Sequence, residues 1–249
     1  MTPGGFDPGN LSLLAMLLQP GPPPPLAGMT LRQCGLLRVW TQDAALLPPR
    51  HRRLTLFSAV GCFAVLVDDF QDADDPHPQR LLWTPETIQG SGLSYRVGQP
   101  DRWLGLRLLG DYAVRPQAPG RLLVCQDVPA SRFLILLSAE PAVRARTCNG
   151  WCIEVRQGGR VWHLMHSNQA RKLRPVGPVA TDARYALVGQ EELPFDAPAA
   201  PQDLHLDLLD GSQLQLQLGS VRPVAWGGNP PPAPTPPPAQ TSPAPDWVI

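Results

Sequence analysis

Lysine is almost missing from this chain of 249 residues: Lys172 is the one lysine, against twenty arginines. That bias most simply records a GC-rich coding sequence, and secondarily a surface suited to bidentate contacts with anions; it assigns no function alone. Charge of one sign is not in excess either, since the formal net charge is zero, and a free nucleic-acid binder usually carries a basic surplus. Aromatics make up 6% and charged residues 17% of the chain, too apolar for full disorder and too polar for a membrane protein. No run of about 18 apolar residues occurs, which excludes a membrane-spanning helix on length. The five cysteines, Cys34, Cys62, Cys125, Cys148 and Cys152, are neither dense nor even in number, so a disulfide scaffold is not expected and a reducing, intracellular setting (cytoplasm or nucleus) is. The apolar run Leu11 to Leu18, broken by Ser12, has no basic residue before it and no Ala-x-Ala site before the prolines that follow, so it does not read as a signal peptide. A phosphate loop and a dinucleotide fingerprint are both missing, and the nearest approach to a serine nucleophile motif, Gln89-Gly-Ser-Gly-Leu-Ser94, has the wrong register. No catalytic residue and no cofactor are therefore assigned.

What is abundant is proline, 32 residues, and its placement divides the chain. Residues 1–28 form a Pro/Gly-rich arm around Asn10 to Gln19. There Asn10 or Ser12 can cap a short helix whose Leu11, Leu14 and Leu18 share a face before Pro20 ends it. Ten residues cannot hold a helix alone in water, so this segment must dock on its own body or in a partner's groove. Residues 227–249 hold nine prolines among 23 residues and end in Asp246, Trp247, Val248 and Ile249. Such a tail is expected to be extended or disordered, with an apolar tip beyond a stiff spacer.

Between these arms, residues 29–226 show short apolar runs separated by turn residues about every ten positions, which predicts a mainly β body. The fold class expected is a mainly β domain, a β-sandwich or barrel-like fold with α+β as the alternative, with one short N-terminal helix and flexible Pro-rich termini. Strands are predicted near 35–40, 53–58, 62–67, 81–84, 103–109, 121–125, 133–137, 151–156, 160–166 and 185–188. Alternating apolar and polar residues over His205 to Leu218, around Asp210-Gly211, predict a hairpin with Leu214, Leu216 and Leu218 facing a core. Ala113 to Gly120 is the best internal linker, so two modules, 29–118 and 119–226, are as natural as one continuous sheet system.

Cys148-Asn-Gly-Trp-Cys152 followed by His163-Leu-Met-His166 suggests zinc, but ten residues separate the pairs and two separate the histidines, shorter than a zinc finger on both counts. A turn at Gly158-Gly159 would set Glu154 opposite His163 and Cys152 opposite Met165, placing His163 and His166 on opposite faces, unable to share an ion without a bulge. An ordinary hairpin with a Glu154/His163 pair is the simpler expectation. A redox pair of Cys148 and Cys152 is a further reading, at an unusual Cys-x3-Cys spacing. Asp68 to Asp75 puts five carboxylates in eight residues beside His77, without the order of a calcium loop, and reads as a solvated turn.

Charge is uneven along the chain. Residues 97–174 carry twelve basic against five acidic residues (+7), and 175–249 carry two against eight (−6). Arg144, Arg146, Arg156, Arg160, Arg171, Lys172 and Arg174, interleaved with Trp103, Phe133, Trp151 and Trp162, form the pattern that single-stranded nucleic-acid binding uses. The simpler account is that the tryptophans are core and the arginines answer the chain's own acids. The leading functional expectation is a non-catalytic adaptor that meets protein partners through Asp246–Ile249 and Leu11, Leu14 and Leu18. Nucleic-acid binding through the arginines is second, and a zinc or enzymatic site on Cys148, Cys152, His163 and His166 is third. No membrane partner is expected, and self-association through exposed strand edges is compatible with the sequence.

Overall fold

The computed structural model describes residues 7–42, 52–71, 78–126, 130–149, 152–167, 172–192 and 204–216. Leu11–Leu17 forms the helix α1, capped by Asn10, whose Oδ1 accepts from Ser12 N–H at 3.0 Å. Its C-terminal carbonyls are met by the body, because Leu17 O accepts from Ser58 Oγ (2.5 Å) and Leu18 O from Gly61 N (2.9 Å). Groups that a helix end leaves unpaired are thereby satisfied.

Among the described residues nineteen strands follow, all paired antiparallel. An eight-stranded sheet has the order β1 (Met29–Cys34), β2 (Leu37–Gln42), β3 (Arg52–Ala59), β4 (Phe63–Gln71), β11 (Ala130–Ser138), β8 (Arg102–Leu108), β7 (Ser94–Gln99), β6 (Thr87–Ser91). A three-stranded sheet orders β5 (Gln79–Trp83), β10 (Arg121–Cys125), β9 (Ala113–Ala118). A five-stranded sheet orders β12 (Arg144–Asn149), β13 (Cys152–Gln157), β14 (Arg160–His166), β17 (Tyr185–Glu191), β18 (His205–Leu209), and a last small sheet orders β15 (Arg174–Val176), β16 (Val179–Thr181), β19 (Leu214–Leu216).

Alternation along the strands explains how these sheets stack. Leu54 and Leu56 of β3, Ala64 and Leu66 of β4, and Phe133, Ile135 and Leu137 of β11 enter one core with α1, Leu82, Leu122 and Val124. The residues between them, Phe57, Ala59, Val65, Val67, Leu134 and Leu136, enter a second core with Ile153, Val155, Trp162, Leu164, Tyr185 and Leu187 of the five-stranded sheet. That sheet's opposite face supplies Cys152, Met165, Ala186 and Val188 to a third core, closed by Val176 and Val179. Apolar side chains at both parities of a strand mean burial on both faces, and the result is a stack of β layers three cores deep. The mainly β expectation with one short helix holds.

Three expectations change. Ala113 to Gly120 is not a linker: Ala113–Ala118 pairs with β10 across a bulge, and β11 keeps residues up to Ser138 in the first large sheet. The 205–218 segment is not a hairpin, for β18 pairs with β17 and β19 with β16. Asp182 diverts the chain between them, its carboxylate accepting from Ser212 N, Gln213 N (both 2.8 Å) and Ser212 Oγ (3.0 Å). Leu214 is accordingly 43% exposed rather than core. Finally, Asp68 and Asp69 are strand residues; Asp68 is buried against Arg80, and Asp69 pairs with Arg132. Residues 72–77, with the remaining acids and His77, lie outside the described residues, as do Leu218 and the 227–249 tail.

Candidate metal centre

The hairpin of β13 and β14 turns at Gly158 and Gly159, whose φ of 59° and 67° suits a tight turn that favours glycine at both central positions. Its register sets Glu154 opposite His163 and Cys152 opposite Met165, as the turn position predicted. Side chains of Cys152, Glu154, His163 and Met165 therefore share the face turned away from the large sheet. His166 faces the other way, its ring 5.5 Å from both Tyr185 (stacked) and Phe57 (tilted). It is not part of any site with His163.

Cys148 is brought in from the neighbouring strand by a bulge. Along β12, Thr147 pairs with Ile153 but Asn149 pairs with Cys152, leaving Cys148 unpaired between them. A bulge re-aims the side chain it leaves unpaired. Ligating atoms of Cys148, Cys152 and His163 then all lie within 4.8 Å of one another. Cys148 is exposed, Cys152 buried, and His163 only 8% exposed. His163 Nε2 is buried with no hydrogen-bond partner among the described residues, which is costly unless something other than a protein group meets it. Overhead, the β15–β16 turn places Gly177 so close that a Cβ there would stand 2.4 Å from His163 Cδ2 and 2.7 Å from Nε2.

Electrostatics divide the two thiols. The hydrogen bond that the Cys152 thiol donates to the Cys148 sulfur is the largest influence on Cys148. With the His163 ring it outweighs burial and the Glu154 charge, and pushes Cys148 down to about 5. The same bond, followed by burial, raises Cys152. Glu154 lies beside them, with Oε2 4.0 Å from Cys148 Sγ. Burial pushes its carboxyl up, but Arg146 (2.7 Å) and Arg156 (3.0 Å) together hold it below the ordinary range. The expected Glu154/His163 pairing gives way to these two arginines.

No family model matches the chain, and no curated protein does.

The remaining predicted residues are scattered. Arg156 also pairs with Glu192 (2.8 Å), Arg160 lies 6.0 Å over the Trp162 ring, Arg144 and Lys172 are exposed, and Arg174 is buried. Phe133 and Trp162 are core residues, while Trp103 faces Arg96 at 5.3 Å. Leu11, Leu14 and Leu18 are buried in the first core together with Leu17, so they are spent inside the chain and not presented to a partner. Arg171, Trp151 and Asp246, Trp247, Val248 and Ile249 lie outside the described residues. Among the described residues no helix is long and apolar enough to cross a membrane.

Proposed function

We propose that this protein binds a divalent transition-metal ion, with zinc the best chemical fit, through Cys148 Sγ, Cys152 Sγ and a ring nitrogen of His163. Two thiolates and an imidazole are a borderline-soft donor set that suits zinc better than calcium or magnesium. The carrying observation is the convergence of these three atoms within 4.8 Å beside a buried imidazole nitrogen that has no hydrogen-bond partner among the described residues. Tetrahedral zinc at its usual bond lengths sets neighbouring ligand atoms roughly 3.5–3.8 Å apart, so rotation of the bulged Cys148 closes the set. Three protein ligands and an exposed Cys148 leave a fourth position toward solvent for water or a further ligand. That pattern belongs to open sites rather than closed structural ones.

Zinc added to the reduced full chain is expected to bind at about one ion per protein. Cobalt(II) in its place should give intense thiolate-to-metal absorbance with tetrahedral visible bands. Each of Cys148→Ser, Cys152→Ser and His163→Ala should remove that signal, and His166→Ala should leave it. A wild-type protein that takes up no zinc or cobalt under reducing conditions refutes the reading. The adaptor reading through Asp246–Ile249 rests on sequence alone. Nucleic-acid binding is not favoured where Arg146 and Arg156 already engage Glu154 and Glu192.

A further inference from the structure

The sulfurs of Cys148 and Cys152 lie within 4.8 Å of each other. One is exposed and the other buried behind it. Among the described residues all five cysteines are free thiols. A disulfide needs about 2.05 Å between sulfurs, so the pair must close further. The hinge for that is the bulge at Cys148, which is held by no ladder partner. An accessible thiol in front of a buried one is the arrangement of an attacking and a resolving cysteine.

We propose that Cys148 and Cys152 form a thiol–disulfide switch that empties the metal site when the protein meets a low-molecular-weight disulfide. This deepens the metal reading and rests on it for the release step only. In the first step the Cys148 thiolate attacks one sulfur of the small disulfide. The small disulfide's S–S bond breaks, one small thiolate leaves and a mixed disulfide forms at Cys148. In the second, Cys152, a thiolate where it holds zinc and otherwise a thiol that gives its proton to solvent, attacks the Cys148 sulfur, expelling the second small thiolate. The protein dithiol loses two electrons, the small disulfide gains them, and both protein sulfurs are consumed in one bond. His163 is then the one remaining ligand, which cannot hold the ion.

The test uses the reduced full chain, zinc-loaded and metal-free, treated with oxidised glutathione. It is followed by intact mass, peptide mapping and zinc release to a chromophoric chelator. Expected is the loss of two hydrogens, mapped to a Cys148–Cys152 link, with zinc released in step and restored after reduction. Cys152→Ser should stop at one glutathione on Cys148, and Cys148→Ser should slow reaction at Cys152 by at least about tenfold. Links through Cys34, Cys62 or Cys125, or a glutathione adduct on wild-type Cys148 that never resolves, overturn the switch; the wild-type mapping decides this even where a variant fails to fold. One bound zinc without a Cys148–Cys152 bond leaves the metal site standing and removes the switch. The bond formed in a chain that never takes up zinc keeps the exchange and removes the metal site and its release.

Discussion

His163 keeps its imidazole in the interior because residue 177 has no side chain. Gly177 sits at φ +56°, in the left-handed region, and a Cβ there would collide with the ring. Gly177→Ala is therefore expected to cost about 1–2 kcal/mol through backbone strain. By displacing the proposed ligand His163 it should also weaken zinc binding by about 10- to 100-fold. Competition against a chromophoric chelator measures the second effect, and denaturation of the metal-free chain measures the first. Unchanged zinc affinity alongside lost stability would mean that His163 is not a ligand. His163 and His166 point to opposite faces, as their spacing alone predicts, since a strand sends residues three apart to opposite faces. Hidden was the bulge at Cys148, because a one-residue insertion in a ladder is a property of the pairing partner as much as of Cys148-Asn-Gly itself.

Among the elements, β18 and β19 show a local signal overridden by a distant one. Asp-Gly between alternating runs favours a hairpin, yet Asp182 captures the backbone at Ser212 and Gln213 and hands β19 to β16. The N–H groups of Gln213 and Ser212, in that order of effect, hold the Asp182 carboxyl below its ordinary value. A carboxyl depressed in the folded state stabilises above the unfolded value, near 3.9, and that contribution fades as pH falls through the lower folded value. Asp182→Asn should lower stability at neutral pH and flatten the acid limb of a thermal-unfolding series run from pH about 6 to about 2. An acid limb of unaltered steepness in the variant would refute this. The strands β1, β6, β7, β9, β12, β15 and β16 were not legible because they are polar, short or proline-containing, and their pairing is supplied by neighbours.

At the scale of the whole molecule, a buried carboxylate is among the polar ties that join the two large sheets over their shared core. Asp207 of β18 is 4% exposed, and its Oδ2 accepts from the backbone N–H of Leu36 (2.7 Å) and Leu37 (3.1 Å) in the β1–β2 turn and contacts His205 Nε2 at 2.7 Å. Beside it, Arg32 of β1 pairs with Asp210 at the surface. Asp207→Ala strands two backbone donors at the junction and should cost about 2–4 kcal/mol. Arg32→Ala, at an exposed pair, should cost under about 1 kcal/mol. Urea unfolding of both variants checks the contrast, and equal shifts would contradict the tie.

Period-two alternation was enough to locate the central strands, to place the β13–β14 turn at Gly158-Gly159 and to separate His163 from His166, because these depend on neighbours in the chain. The helix was legible for the same reason: Asn10 caps it and Pro20 lies beyond its end. The stacking of the sheets, the fate of α1's leucines, the capture of Ser212 and Gln213 by Asp182 and the meeting of Cys148 with Cys152 and His163 required the folded chain. Each joins residues from different elements through burial or hydrogen bonding, and none has a periodicity to announce it. The proposed metal site, assembled across a bulge and beneath an overlying turn, belongs to that second class, which is why the spacing of Cys148, Cys152 and His163 resembles no finger.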